Sequence, residues 1–155
     1  MLVKWKKIPL TQGKFAIVDP EDYEVIMQWK WYFTIKGYAA RTVSKKTIFM
    51  HRIINNTQTG FITDHINGNK LDNRKTNLRI CTGYQNQASR GKQTNNTSGF
   101  KGVSLNKKQC MYIAMICTHG KQIYLGRFTS AIEAARAYNE AAIKYHGEFA
   151  KLNEL

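Results

Sequence analysis

The chain has 155 residues, which is enough for one ordinary domain or two small ones. It carries 24 Lys and Arg against 10 Asp and Glu, a formal net charge of +14, and such a surplus on a small protein favours polyanionic partners. The sequence has no run of about 18 apolar residues and no long basic amphipathic helix, so nucleic acid is favoured over a membrane.

The N-terminal segment MLVKWKK, residues 1–7, has no apolar run of signal-peptide length. We therefore expect the protein to stay in the cytoplasm. The three cysteines, Cys81, Cys110 and Cys117, form no Cys-x-x-Cys pair. They are interpreted as reduced thiols that form no zinc site.

The first sixty residues predict a short helix followed by an antiparallel meander. Pro20 followed by two acidic residues is typical of a first helical turn. The segments 31–35, 37–41 and 47–50 are rich in strand-forming residues and are separated by turns. Their aromatic side chains are expected to form a small core, and a stacking platform for bases is the alternative.

Residues 61–90 predict a strand, a polar loop, a second strand and a helix. The apolar run 61–63 ends at Asp64-His65, and Asn67-Gly68 is a strong turn signal. Residues 78–81 predict the second strand, and Thr82 with Gln85 forms a capping box that starts a helix near residue 83. This order brings together an imidazole, a carboxylate and several carboxamides.

This segment resembles the HNH, or His-Me finger, nuclease motif, in the zinc-free form of phage and intron-encoded homing endonucleases. The resemblance rests, in chain order, on Asp64-His65, Asp72-Asn73-Arg74, Asn77-Leu78-Arg79 and Gln85-Asn86. It implies that His65 is the general base that activates water and that Asn77 steadies the histidine and its loop. It also implies that Asp64 and Asn86 ligate one divalent cation.

The residue types suit phosphodiester hydrolysis. An imidazole with a pKa of about 6.5 can accept a proton near neutral pH. A carboxylate and an amide supply oxygen ligands, which favours magnesium, with manganese as the alternative, and argues against zinc. Asp64 and His65 are neighbours on a predicted strand, so regular geometry would turn them to opposite faces. We therefore expect a distortion in the loop 66–76.

Three arginines are candidates to contact phosphate. Arg74 and Arg79 lie within the motif, and Arg52 belongs to a His51-Arg52 pair of the kind that often precedes the Asp-His strand in the resembling nucleases. His51 is interpreted as structural.

The stretch RGKQTNNTS, residues 90–98, is polar and lacks apolar periodicity, which is typical of a domain boundary. We therefore predict a nuclease domain at residues 1–90, with its ββα-metal motif at 61–90, a linker at 91–98 and a DNA-binding domain at 99–155.

The C-terminal part predicts three strands and one helix. Residues 99–103, 111–117 and 122–126 read as strands, and the capping pair Ser130 and Glu133 starts a helix that ends at Gly147. Period-two alternation turns five side chains outward, those of Ile113, Met115, Cys117, Gln122 and Tyr124.

Residues 99–153 resemble the Apetala/ethylene-response-factor DNA-binding domain, in which a three-stranded sheet lies in the major groove and a helix backs it. The resemblance is carried by residues 100–103 (FKGV), 123–128 (IYLGRF), 133–138 (EAARAY) and 150–153 (AKLN). It places five residues where that family contacts bases or phosphates: Lys101, Ser104, Asn106, Gln122 and Tyr124. Ser104, Met115 and Cys117 stand where plant members tend to carry charged residues, so the plant recognition code does not transfer. Asn and Gln would instead favour adenine edges.

Together these observations predict an α+β protein with an N-terminal antiparallel β segment leading into a ββα-metal motif, then a three-stranded sheet backed by one helix. The expected function is a magnesium-dependent endonuclease that cuts double-stranded DNA, leaves 5′-phosphate and 3′-hydroxyl ends, and acts as a monomer or homodimer in the cytoplasm of a bacterial host or phage-infected cell. The alternatives are a DNA-binding regulator that has lost catalysis and an RNA-binding module with exposed aromatic residues.

Overall fold

The computed structural model describes residues 5–155, so the first four residues of the N-terminal segment 1–7 lie outside it. The chain divides into two compact units, a first unit that ends at Thr82 and a second unit, Gly83–Leu155. The described part combines four α-helices with several small antiparallel sheets. None of the helices in residues 5–155 is long and apolar enough to cross a membrane.

The first half of the first unit contains two small sheets and two helices. Strands β1 (Lys6–Pro9) and β2 (Phe15–Val18) pair antiparallel, and helix α1 (Pro20–Met27) follows. Strands β3 (Tyr32–Phe33), β4 (Ala39–Val43) and β5 (Lys46–Phe49) form the predicted meander, which leads into helix α2 (Met50–Ile54).

The aromatic residues of this region belong to its core, as predicted. Trp31 is 5% exposed, and its indole Nε1 donates a hydrogen bond to the Ile26 carbonyl at 2.8 Å. Trp29 and Phe33 pack on the same core, whose fully buried members include Ile8, Ala16 and Val18. This packing supports the core interpretation over a base-stacking platform.

The second half of the first unit is an antiparallel strand pair, β6 (Ile62–His65) and β7 (Leu78–Cys81). The loop 66–77 between them is tied to β2. The Ile17 amide donates to the Leu71 carbonyl at 2.7 Å, and the Asn73 amide donates to the Ile17 carbonyl at 2.7 Å. The loop is therefore fixed at its middle as well as at its ends.

The second unit begins with helix α3 (Gly83–Ser89). Strands β8 (Val103–Asn106), β9 (Met111–Thr118) and β10 (Lys121–Phe128) form an antiparallel sheet in the order β10-β9-β8. Helix α4 (Ala131–His146) packs on it; the Ser130 hydroxyl caps its first turn and it ends at Gly147, as predicted.

Small residues bring α4 close to the sheet. Ala134, Ala135 and Ala142 of α4 are fully buried. Gly102 precedes β8 with a φ of +75°, and a Cβ atom there would lie 2.0 Å from the ring of Tyr138. A side chain at residue 102 would therefore be excluded by both the backbone conformation and the tyrosine.

A β-bulge interrupts the alternation of β10. Tyr124 pairs with Met115 and Gly126 with Ala114, so Leu125 is the additional residue. An additional residue reverses the alternation of side chains beyond it. Arg127, which pairs with Ile113, consequently shares the outward face of the sheet with Tyr124.

The division after Thr82 assigns α3 to the second unit, whereas the predicted nuclease domain extends to Arg90. That functional boundary stays a prediction. The predicted linker 91–98 is fastened to the sheet at its end, because the Ser98 hydroxyl donates to the Val103 carbonyl at 2.7 Å and the Asn96 amide donates to the Phe100 carbonyl at 2.8 Å.

Candidate functional site

Strand β6 carries Asp64 and His65, and it is regular at both residues. Asp64 pairs with Arg79 and His65 pairs with Leu78 in an uninterrupted antiparallel register. Neighbouring side chains on a regular strand point to opposite faces. The two side chains have separate sets of partners, so the structure does not bring them together in a common contact.

The Asp64 carboxylate is held by Arg79. Its Oδ2 atom accepts hydrogen bonds from Nε at 2.9 Å and from Nη2 at 2.8 Å. The two side chains are 13% and 18% exposed, respectively. Arg79, a predicted phosphate contact, is thus engaged by the predicted metal ligand.

The His65 ring is 7% exposed and is oriented by Asn73. Its Nε2 lies 3.2 Å from Oδ1 of Asn73. The Asn73 amide nitrogen donates to the Leu71 carbonyl at 3.3 Å, which turns the amide oxygen toward the ring. Nε2 therefore carries the proton, and Nδ1 is left with its lone pair. Asn73 is among the residues that carry the nuclease resemblance, but no contact with His65 was predicted for it.

Aromatic rings enclose His65 on other sides. The centroid of the His51 ring lies 5.1 Å away at 81°, and that of Tyr38 lies 6.1 Å away. Burial lowers the pKa of His65, and the hydrogen bond with Asn73 opposes that shift. The imidazole is consequently neutral at pH 7, the form in which it can accept a proton.

Asn77 is bonded within the loop, and in the described residues 5–155 no hydrogen bond joins its side chain to the histidine. Its Oδ1 accepts from the Asn67 amide at 2.9 Å, and its Nδ2 donates to the Asp72 carbonyl at 2.8 Å. These bonds join the beginning of the loop to its end. The bond to the ring comes from Asn73, and the steadying role expected for Asn77 stays a prediction.

Asp72 is the acidic centre of the loop, at 2% exposed. Arg74 donates to its two oxygens from Nε at 2.7 Å and from Nη2 at 2.6 Å. The hydrogen bonds from Arg74 hold the pKa of Asp72 below its usual value. Arg74, another predicted phosphate contact, is therefore bonded to a carboxylate of its own loop.

Arg52 is engaged in the same way. Its guanidinium donates to the carbonyls of Phe61 at 2.9 Å, Thr57 at 3.2 Å and Gln58 at 3.1 Å. All three arginines predicted to contact phosphate thus have intramolecular partners, and their contact with DNA stays a prediction.

Asn86, the second predicted metal ligand, lies in α3 and so belongs to the second unit, whereas Asp64 belongs to the first. Its side chain is half-buried, and its carboxamide makes no hydrogen bond to any residue in 5–155.

The proposed donors fit a hard cation by their chemistry. Residues 5–155 contain no group of three or more His, Cys, Asp or Glu side chains that could hold a metal ion. The Asp64 carboxylate and the Asn86 carboxamide are both oxygen donors, of the kind that suits magnesium or manganese, and their sharing of one ion stays a prediction. Cys81, Cys110 and Cys117 are free thiols; the first is buried and the other two are exposed.

The outward face of the second unit holds three of its five predicted DNA contacts. Ser104, Gln122 and Tyr124 are exposed there, at registers opposite Ile113, Cys117 and Met115. The exposed Arg127 lies on the same face of the sheet. Strict period-two alternation would have placed its side chain on the opposite face.

The other two predicted contacts have partners within the protein. The Lys101 ammonium donates to the carbonyls of Ala88 and Arg90, at 2.5 and 2.6 Å. The Asn106 carboxamide accepts from the Lys108 amide at 3.1 Å, which closes the turn between β8 and β9. Contacts of these two side chains with DNA stay predictions.

The chain belongs to the HNH endonuclease family, whose family model matches residues 49–88. The matched region includes the strand pair β6–β7, the loop between them and most of α3. Nuclease activity is the function that this family supports.

Among known proteins, an uncharacterized HNH endonuclease of Acanthamoeba polyphaga mimivirus is 29% identical over 93% of this chain and 77% of the relative. Protein 3.8 of Escherichia phage T7 is 32% identical over 59% of this chain and 75% of the relative. APETALA2-like protein 2 of Oryza sativa is 42% identical over 37% of this chain and 13% of the relative. No solved structure matches.

Proposed function

We propose that this chain is a metal-dependent DNA endonuclease that hydrolyses phosphodiester bonds with His65 as its general base, leaving 5′-phosphate and 3′-hydroxyl ends. The observation that carries the proposal is the occurrence of Asp64, His65, Asn77 and Asn86 together within the region that matches the HNH family. The other contacts of these residues support roles for each of them.

The hydrogen bond between His65 and Asn73 supports the assignment of the base. Because Nε2 donates to the Asn73 oxygen, the proton acceptor is Nδ1. A neutral imidazole in this tautomer takes the proton of a water molecule as the water oxygen attacks phosphorus. Burial lowers the pKa of His65, which keeps the ring in its accepting form at neutral pH.

Asn77 acts on the base through the loop. It ties the Asn67 amide to the Asp72 carbonyl, and Asp72 immediately precedes Asn73. The loop therefore holds the Asn73 side-chain oxygen in a fixed position beside the His65 ring. On this proposal Asn77 and Asn73 are positioning residues.

Asp64 and Asn86 are the proposed ligands of one divalent cation, magnesium or manganese. When bound, such a cation neutralises the charge that builds up on the phosphate and on the leaving 3′ oxygen. The protein itself orients the donor groups. The two hydrogen bonds from Arg79 to Asp64 Oδ2 orient the carboxylate. Zinc is not proposed, because the donors are oxygens.

The second unit is proposed to bind double-stranded DNA through the outward face of its sheet. Ser104, Gln122, Tyr124 and Arg127 offer hydroxyl, amide and guanidinium groups there. A net charge of +14 supports phosphate contacts around them. We propose that a monomer nicks one strand, that cutting both strands needs a homodimer, and that the protein acts in the cytoplasm.

The test is the cleavage of supercoiled plasmid with magnesium, with manganese and with EDTA. We expect His65→Ala to abolish nicking while its affinity for duplex DNA stays at the wild-type value. Asn86→Ala should lose cleavage in the same way, whereas Asn95→Ala, at an exposed asparagine, is the matched control. Cleavage by His65→Ala at the wild-type rate would exclude this histidine as the base.

A DNA-binding regulator without catalysis is the second candidate. It is favoured by the low exposure of His65 and by the ion pair between Arg79 and Asp64. The same assay separates the two, because a regulator would bind the plasmid and leave it supercoiled in magnesium and in manganese.

A further inference from the structure

Helix α3 carries Asn86, and its first turn is anchored on the second unit by Tyr84. The Tyr84 hydroxyl lies 2.9 Å from the Thr118 hydroxyl at the end of β9 and 2.8 Å from Nδ1 of His146 at the end of α4. Its ring stacks on His119, with centroids 4.4 Å apart at 19°. The beginning of α3 is thus bonded to both layers of the DNA-binding unit.

The other end of α3 is anchored by Lys101. The Lys101 ammonium donates to the Ala88 carbonyl at 2.5 Å and to the Arg90 carbonyl at 2.6 Å. Carbonyls at a helix C-terminus lack partners within the helix, and a cation there satisfies them. Burial, together with the charge of Lys151, lowers the pKa of Lys101 to about 8, so the ammonium form predominates at pH 7.

Asn86 lies between these two anchors. The helix is seven residues long, and an isolated helix of that length is not stable in water. Its conformation must therefore come from the groups that hold it. Within the second unit these groups include Tyr84 and Lys101, neither of which was expected to act on a metal site.

We propose that Tyr84 and Lys101 are positioning residues for the proposed metal ligand Asn86, because they hold the helix that carries it. The inference rests on the proposed function, because it requires Asn86 to ligate the cation. It gives Lys101 a role other than the phosphate contact expected from its place in the sequence.

The test compares Tyr84→Phe and Lys101→Met in the full-length protein. Tyr84→Phe keeps the ring and removes the hydroxyl, whereas Lys101→Met keeps the length of the side chain and removes the charge. Lys108→Met, at an exposed lysine in the β8–β9 turn, is the matched control for lost charge. The primary measurement is the dissociation constant of Mn²⁺, from the electron paramagnetic resonance signal of the free ion.

We expect both positioning variants to bind Mn²⁺ about tenfold more weakly, as is typical when residues that orient a ligand are lost. Amide hydrogen exchange in residues 86–89 should become faster in both, since the helix loses an anchor. Tyr84→Phe should retain wild-type affinity for duplex DNA, and Lys108→Met should retain wild-type affinity for Mn²⁺.

Wild-type Mn²⁺ affinity in both variants would overturn the inference, whatever happens to hydrogen exchange. If Lys101→Met instead weakens DNA binding alone and lowers the salt dependence by about one ion, Lys101 is a phosphate contact and the inference is wrong. Should Lys101→Met fail to fold, Tyr84→Phe decides. Asn86→Ala separates the two levels of the proposal: if it binds Mn²⁺ as tightly as the wild type, the ligand assignment itself fails.

Discussion

His51 should make the first unit sensitive to acid. Its ring is 8% exposed, stacks on Phe49 at 5.4 Å and contacts Tyr38 at 5.2 Å. Its buried Nδ1 has no hydrogen-bond partner among residues 5–155. Burial lowers the pKa of His51 to about 3, and the charges of His65 and Arg52 act in the same direction.

The sign of the effect follows from the two protonation states. The folded state keeps His51 neutral down to pH 3, whereas the unfolded chain protonates it below its ordinary pKa of 6.5. Protons therefore favour the unfolded chain between these values, and stability is lost as the pH falls through that window. At pH 5, which is 1.5 units below 6.5, the loss from this one group is about 2 kcal/mol.

Tryptophan fluorescence provides a specific assay, because Trp5, Trp29 and Trp31 are the three tryptophans and all lie in the first unit. We expect the wild-type free energy of unfolding in urea to fall more steeply between pH 7 and pH 5 than that of His51→Phe. The difference between the two losses should be about 2 kcal/mol.

His65 is also buried with a lowered pKa, but its titration is shared by both proteins and largely drops out of the comparison. His119→Gln, at an exposed histidine of the second unit, is the control and should follow the wild type. Equal losses in the wild type and His51→Phe would refute the reasoning.

Two further outcomes are expected. Asn73→Leu should lower kcat about 100-fold, because it releases the tautomer of His65, the proposed base. Asn73→Asp, which still accepts from Nε2, should recover much of that loss. ¹⁵N shifts of the ring report the tautomer, and equal rates in both variants would contradict the role. Arg127→Ala should weaken binding to duplex DNA about tenfold and reduce the salt dependence by about one ion, as measured by fluorescence anisotropy. Arg136→Ala, at an exposed arginine of α4, is the matched control, and equal effects of the two would count against the sheet face.

Regular periodicity predicted most of the elements. The meander at 32–49, the strand pair 62–65 and 78–81, and the helix from Ala131 all lie close to where alternation, turns and caps placed them. These signals are local, since each depends on residues within a few positions of one another. Arg127 lay beyond the predicted strand 122–126, and an additional residue at Leu125 reverses the alternation before it. Gly126 next to Leu125 is the type of residue that often marks such a bulge.

Partners of polar side chains were less predictable. The motif identified Asp64, His65 and Asn77 as candidate site residues. It did not predict the hydrogen bond of Asn73 to the His65 ring or that of Arg79 to the Asp64 carboxylate. Such pairs depend on how a loop closes and on which face of a strand it covers. In a basic chain, arginines appear available to phosphate until the carboxylates and carbonyls around them are located.

The assignment of α3 to the second unit has a practical consequence for protein engineering. A chimaera that grafts this nuclease onto another targeting module would ordinarily be joined in the polar stretch after Arg90. Such a junction would keep the seven-residue helix but discard Lys101, Thr118 and His146, to which it is bonded. A replacement module must therefore supply its own contacts for that helix, or the graft must retain the native sheet.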